Sequence, residues 1–242
     1  QVRMGSTRLP GKVMMPLGNR PLLGFLIERL RLCQTIDEVV VATSIENEND
    51  VIEEFCANEG IECFRGSEED VLKRTLGALE SVSATIGVEV FGDCPLIDPL
   101  IVDELVTRFC DYAKYDFIGN DLRTTYPPGM EVEVFSLQAL QDSDCRVPVS
   151  DPIREHGTLF IRQNPQLNKV VNREAEGKYR RPEVELEVDS REDLDVVTAI
   201  IQHFDPRIDF SLDEILRFLD DNPEIVEINR SVHRRWKEFR DD

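Results

Sequence analysis

A three-layer α/β fold with a mainly parallel sheet is what this 242-residue sequence predicts. Three observations carry the reading. Short strand-like runs alternate with longer stretches of helical periodicity, the pattern of a sheet with helices on its faces. One run, Val39-Val40-Val41-Ala42, is continuously apolar, as expected of a strand buried on both faces. Two further runs end in aspartates, Asp93 and Asp189, at the carboxyl edge where open α/β sheets bind ligands.

The chain opens Gln-Val-Arg-Met-Gly-Ser-Thr-Arg-Leu-Pro-Gly-Lys. This segment sets Arg3, Arg8 and Lys12 around two glycines and two hydroxyls, a flexible backbone whose N–H groups can turn toward an anion. The first 31 residues hold six of the 28 basic residues and one acid, Glu28, within a chain of formal charge −20. Positive charge concentrated in this way points to a polyanion, and the glycines point to a phosphate. The plain alternative is a solvated basic turn. A Walker A loop is disfavoured: five residues rather than four stand between Gly5 and the Gly11-Lys12 pair, and Val13 replaces the magnesium-binding hydroxyl.

The elements follow in order. Leu22, Leu23, Leu26, Ile27 and Leu30 form the apolar stripe of a helix. After the strand at 39–42 come a helix near 49–58, a short strand at 61–64 and a helix from about 68 to 79. A second central strand is expected at 86–91, ending at Gly92-Asp93, then a helix from about Pro99 to Tyr112. Thr124 to Gly129 is turn-rich, and Met130 to Phe135 alternates as a half-exposed strand would. Residues 121–180 read as an inserted arm within one domain spanning 1–242. A strand near Val184–Val188 then leads to Asp189 and a helix from about Arg191. Ser190 with Asp193, and Ser211 with Glu214, form capping-box patterns.

Composition excludes several classes. With 41% hydrophobic residues the chain can bury a substantial core. The acidic excess argues against nucleic-acid binding, which relies on a basic surface. No apolar run reaches bilayer-spanning length and no signal-peptide pattern is visible, so a cytoplasmic enzyme without membrane contact is expected. The cysteines at 33, 56, 63, 94, 110 and 145 show no metal-ligand spacing and read as reduced core thiols. His233-Arg234-Arg235-Trp236-Lys237 reads as helix surface or subunit contact. Asp93 and Asp189 are hard oxygen ligands of the kind magnesium takes together with phosphate oxygens. Their alternative is that each caps a helix or turn.

Taken together, the opening segment, Val-Ala-Thr-Ser at 41–44, Arg-Gly-Ser-Glu-Glu-Asp-Val-Leu at 65–72 and Gly-Asp-Cys-Pro-Leu-Ile-Asp-Pro at 92–99 are similar to the cytidylyltransferase superfamily that makes CMP-activated acid sugars. Glu-Val-Phe-Ser at 133–136, Arg-Glu-His at 154–156 and Val-Asp-Ser-Arg-Glu-Asp-Leu at 188–194 complete the set in family order. Within the superfamily the chain most resembles the branch named for the spore-coat polysaccharide biosynthesis protein SpsF. The resemblance implies a Rossmann-like nucleotidyltransferase fold, with residues 121–180 as an acceptor-binding and dimerisation arm.

It also implies roles. Arg3, Ser6 and Lys12, helped by Met4, Gly5 and Arg8, would hold the phosphates of CTP. Thr43, Ser44, Gly66 and Arg74 would lie near the nucleotide, and Asp93 and Asp189 would carry Mg2+. Glu133, Arg154 and His156 would line the side that receives a small acid-sugar acceptor, and the protein would be a homodimer. Arg3, Lys12, Asp93 and Asp189 would form the catalytic set for direct CMP transfer with release of pyrophosphate, for surface polysaccharide or glycoconjugate synthesis. Two features depart from the family pattern: no apolar strand precedes the glycine-rich segment, and Glu89 stands where many such sequences carry Arg. The alternatives are a related enzyme using another nucleotide or a sugar phosphate, or a silent nucleotide-binding relative.

Overall fold

The computed structural model describes residues 1–111 and 115–234. A two-strand ribbon of β1 (Pro16–Leu17) and β2 (Arg20–Pro21) leads into α1 (Leu22–Leu30), whose apolar stripe is buried. Next come β3 (Val40–Ser44), α2 (Asp50–Glu59), β4 (Glu62–Gly66) and α3 (Val71–Ser81). β3 and β4 pair in parallel, so Ser44 and Gly66 arrive opposite each other at one edge. β5 (Ile86–Glu89) passes through Gly92-Asp93 to α4 (Pro99–Asp111), which ends beside Tyr112, outside the described residues. The remainder comprises β6 (Phe117–Gly119), β7 (Glu133–Ser136), α5 (Leu137–Arg146), α6 (Leu159–Gln163), β8 (Val170–Asn172), α7 (Arg191–Phe204), α8 (Leu212–Asp221) and α9 (Pro223–Asn229).

The larger sheet runs β5-β7-β6-β8. β7 is antiparallel to both β5 and β6, while β6 and β8 are parallel. The described sheets are therefore small and mixed, not mainly parallel. The cause lies between β6 and β7, where residues 120–132 contain turns and no helix. An antiparallel return needs no crossover helix, whereas a parallel one does. Residues 1–2 lie between the two sheets: Val2 donates its N–H to the Ala42 carbonyl at 3.0 Å, and Gly92 donates to the Gln1 carbonyl at 3.2 Å.

Alternate residues of the sheet feed different cores, as the two-residue period requires. Ile118 and Val134 join the cluster containing Val102 and Leu105 of α4, while Phe117 and Phe135 join Leu72 and Leu76 of α3 and Leu140 of α5. Helices thus cover both faces. Every residue from Met130 to Phe135 is buried, so the half-exposed strand expected there is corrected. Its polar positions, Glu131 and Glu133, are polar but not exposed. The expected strand at 184–188 is not formed: the backbone bends at Val184 and Glu187 and has isolated partners. Leu186 donates to the Pro128 carbonyl at 2.7 Å and Val188 to the Asp93 carbonyl at 2.8 Å, which makes no continuous ladder. Gly129 permits the approach: at φ 102° a Cβ there would lie 2.6 Å from the Leu186 carbonyl carbon.

Both predicted capping boxes are present, at Ser190–Asp193 opening α7 and Ser211–Glu214 opening α8. Among the described residues no helix is long and apolar enough to cross a membrane. Cys33, Cys56 and Cys94 are buried as expected, whereas Cys110 and Cys145 are exposed. Arg234 is buried and ion-paired, which corrects its reading as helix surface; Arg235, Trp236 and Lys237 lie outside the described residues.

One buried cation ties the helices to the loops around the site. Arg29 of α1 is fully buried and donates to the carbonyls of Ile97 and Phe210 at 2.9 Å each, and also to Ile208. Its guanidinium carbon stands 4.4 Å from the centre of the Phe210 ring. Burial pulls its pKa down to about 10, so the charge persists at neutral pH. Arg29→Met should cost about 3–5 kcal/mol, because it strands several buried carbonyls at once. Urea unfolding measures this; a loss below about 1 kcal/mol would show that the carbonyls find other partners.

Candidate active site

The basic opening segment folds on its own backbone. Ser6 and Gly11 both donate N–H groups to the Met4 carbonyl, at 2.8 and 2.9 Å, and Met4 donates to Asn49 Oδ1 at 2.8 Å. Leu9 donates to Ser6 Oγ at 3.4 Å. Gly11 adopts φ 71°, a left-handed conformation that glycine takes without strain, and a short 3-10 turn over Lys12–Met14 follows. The reversal points Lys12 inward, while Gly5 and the side chains of Arg3 and Arg8 stay at the surface.

Lys12 is the centre of the site. Its Nζ donates to Asp93 Oδ2 at 2.7 Å, to Asp189 Oδ1 at 2.9 Å and to the Val188 carbonyl at 2.8 Å. Burial opposes its charge, but Asp93 and then Asp189 outweigh burial and raise its pKa above the ordinary lysine value. Arg8 pairs with the other oxygen of Asp189. Burial alone would raise the Asp189 pKa; Lys12 and Arg8 reverse this and hold its carboxyl below the usual range. Two cations therefore face two carboxylates, Asp93 at a chain separation of 81 residues and Asp189 at more than 170.

Glu187 is the residue the sequence reading missed. Ligand oxygens of Asp93, Glu187 and Asp189 lie within 4.8 Å of one another. Burial, then the neighbouring Asp93 and Asp189 carboxylates, push the Glu187 carboxyl well above the usual range. Its signal was present: in the strand expected at 184–188, Glu187 and Asp189 are two residues apart and would share a face. Three hard oxygen donors at this spacing suit a small divalent cation such as magnesium.

Beside this centre, β3 and β4 deliver Thr43, Ser44 and Gly66 to the shared edge. Ser44 Oγ accepts from Asn49 Nδ2 at 2.8 Å, so the residue that anchors Met4 also anchors Ser44. Thr43 is fully buried, and its hydroxyl has no hydrogen-bond partner among the described residues. Arg3 pairs with Glu68 at 2.5 Å. Buried Arg74 is spent on local ties, donating to the Ser67 carbonyl at 2.5 Å, the Glu68 carbonyl at 3.1 Å and Gln1 Oε1 at 2.9 Å.

Glu133 and Arg154, both expected on the acceptor side, are held by different partners. Glu133 sits opposite Glu89 in the sheet register and is bonded to Thr158 and, at 2.5 Å, to Arg162. Arg162 also pairs with Asp121 at 2.8 Å. Burial and then Asp121 push the Glu133 carboxyl up to about 8, against the pull of Arg162. Glu89 is buried, and burial raises its pKa as well. Arg154 is buried against Asp70 at 2.9 Å, Asp144 at 2.5 Å and the Val147 carbonyl at 2.9 Å. His156 is exposed beside it. Asp121, Thr158 and Arg162 were not anticipated; only the packing of β6, β7 and α6 brings them to Glu133.

Comparison with known proteins shows the family. Residues 1–225 match the model of the Cytidylyltransferase family. The chain is 36% identical over 229 residues to the spore coat polysaccharide biosynthesis protein SpsF of Bacillus subtilis, covering 93% of each. A cytidylyltransferase structure from Leptospira borgpetersenii superposes with a TM-score of 0.87 at 33% identity, over 96% of this chain and 95% of that one. The structure of CMP:2-keto-3-deoxy-manno-octonic acid synthetase complexed with CTP shares the fold, with a TM-score of 0.62 at 19% identity over 84% of this chain and 96% of that one. The chain is a member of the cytidylyltransferase family of nucleotidyltransferase enzymes.

Proposed function

We propose that this enzyme transfers CMP from CTP to a small acid sugar and releases pyrophosphate, in the synthesis of a surface polysaccharide or glycoconjugate. The observation that carries the reading is the convergence of Lys12 with Asp93, Glu187 and Asp189 beside a surface loop bearing Arg3 and Arg8. Cations for a triphosphate and hard oxygen ligands for a divalent ion are thereby set at one edge. Relatives named for polysaccharide biosynthesis and for CMP-octonic acid synthesis support the choice of nucleotide and acceptor class.

In this reading Arg3, Arg8, Ser6 and the backbone from Met4 to Gly5 receive the phosphates. Thr43, Ser44 and Gly66, at the shared edge of β3 and β4, border the nucleoside. Lys12 leaves its carboxylates for phosphate oxygens and neutralises charge as pyrophosphate departs. Asp93, Glu187 and Asp189 would hold Mg2+, which when bound supplies charge neutralisation at the reacting phosphate and attacking oxygen. The acceptor hydroxyl attacks the α-phosphorus and the bond to the β-phosphate oxygen breaks. Such transfer needs positioning and electrostatics, not a covalent intermediate. Glu133 lines the acceptor side, and Arg154 with His156 forms its outer border. A homodimer through residues 121–180 belongs to the proposal on the family resemblance alone, because the strand expected to need a partner is already buried.

The direct test is pyrophosphate release with CTP, UTP, GTP and ATP over a panel of eight- and nine-carbon acid sugars. CTP-dependent release with an acid sugar is expected. Release with another nucleotide, or with sugar phosphates only, would replace the reading.

Asp93→Ala and Asp189→Ala should each slow turnover by roughly a hundredfold or more while leaving the circular dichroism spectrum unchanged, since each removes a charge-bearing contact at the reacting phosphate. Near-normal turnover in either variant would reduce the pair to structural partners of Lys12.

Lys12→Met should lower both CTP affinity and the chemical rate, and should cost about 3 kcal/mol of stability at pH 7 by leaving buried carboxylates without their cation. The sign of its pH dependence is fixed by Asp189. A carboxyl held below its usual range contributes stability above its unfolded pKa, and loses it as pH falls through the folded value. The gap in urea midpoint between wild type and variant should therefore shrink toward pH 3. A constant gap would show that Lys12 acts through packing instead.

A further inference from the structure

We propose that Arg234 is a positioning residue for Asp189, acting through Asp193. The inference rests on the proposed role of Asp189 and adds a connection from the C-terminal helices to it. Asp193 is fully buried at the start of α7, and its Oδ2 accepts the backbone N–H groups of Asp189 at 3.1 Å and Ser190 at 2.8 Å. The same carboxylate accepts a bidentate pair from Arg234, Nη1 to Oδ2 at 3.0 Å and Nη2 to Oδ1 at 2.7 Å. Asn229 at the end of α9 completes the arrangement. Its Nδ2 donates to Asp193 Oδ1 at 2.8 Å and to the Glu185 carbonyl at 3.1 Å, while its own carbonyl accepts from Arg234 Nη2 at 3.2 Å.

The geometry exceeds what a helix cap requires. The Ser190–Asp193 box already satisfies the first turn of α7 without Arg234. A buried ion pair is a poor route to stability alone, because desolvating both charges offsets much of their attraction and an apolar pair serves as well. A planar guanidinium on a planar carboxylate instead fixes orientation. Here the oriented group holds the peptide N–H of Asp189, whose side chain meets Lys12 and Arg8. Asn229 meanwhile holds the backbone at Glu185, two residues before Glu187. Both ends of the acidic segment are thus gripped from α9 and the turn after it.

Groups that orient a ligand from behind typically change metal affinity or activity by about 10–100-fold when removed. The experiment compares wild type, Arg234→Met, Arg234→Lys, Val226→Ala and Asp189→Ala. Val226 is an apolar residue that packs on the core from α9 and has no group to bond the Asp193 carboxylate, so its truncation reports simple loosening of the helix. Melting temperature, Mn2+ binding in the presence of CTP without acceptor (read by water-proton relaxation), and the Mg2+ dependence of pyrophosphate release are measured for each.

Arg234→Met should weaken Mn2+ binding about tenfold and raise the half-saturating Mg2+ concentration by a similar factor. Val226→Ala should lower the melting temperature with neither effect. Should Arg234→Met fail to fold, Arg234→Lys takes its place; it keeps the charge but loses the fork, and about threefold weaker metal binding is expected. Metal binding in the Arg234 variant equal to that of Val226→Ala, while Asp189→Ala loses metal, would overturn this inference alone. Wild-type metal binding in Asp189→Ala would overturn the carboxylate-site reading and this inference with it.

Discussion

The site depends on one buried ammonium. Lys12 joins a loop at the start of the chain to Asp93, which follows β5, and to Asp189, which precedes α7. No local propensity brings residues 12, 93 and 189 together. The pairing is stable because every partner of the ammonium is anionic or a carbonyl, and because Arg8 supplies a second positive charge. Isolated, either the cation or the carboxylates would be costly to bury. Together they form a nearly neutral cluster. In the proposed function that neutrality has a use: a triphosphate would draw the cations away by bringing negative charge of its own, and the carboxylates would then be free for a divalent ion.

Much of the fold was legible because apolar periodicity reports burial directly. α1, β3, α2, β4, α3 and α7 fall close to where the sequence placed them, and both capping boxes mark real helix starts. Strand direction was not legible, since a two-residue period is the same in a parallel and an antiparallel strand. Met130–Phe135 was misread for a related reason: alternation of polar and apolar residues reports polarity, not exposure. Glu131 is buried accepting the Gly129 N–H at 2.6 Å, and Glu133 is buried against Arg162 and Thr158. A polar residue with partners can face inward.

The candidate site was legible where glycine, charge and strand ends coincide. Lys12, Asp93 and Asp189 lie in such segments, and the fold brings them together. Glu187 escaped because it is the last of three glutamates, 183, 185 and 187, alternating with apolar residues, and such a run resembles a solvent-facing edge until Asp189 at i+2 is known to point inward. Arg154 and His156 show the converse. They follow the family pattern in sequence, yet Arg154 is held by Asp70, Asp144 and a carbonyl, while the buried polar group around Glu133 is completed by Asp121, Thr158 and Arg162. Contacts of this kind join residues up to 84 positions apart and leave no spacing to read.

The most direct measurement of the central claim is an anomalous difference map from crystals grown with CTP and Mn2+. The account predicts a manganese peak coordinated by Asp93 and Asp189, the triphosphate against the loop at residues 3–8, and Lys12 Nζ turned from the carboxylates onto phosphate oxygens. A map with bound CTP in which Lys12 remains between Asp93 and Asp189, with no manganese at that position, would contradict it.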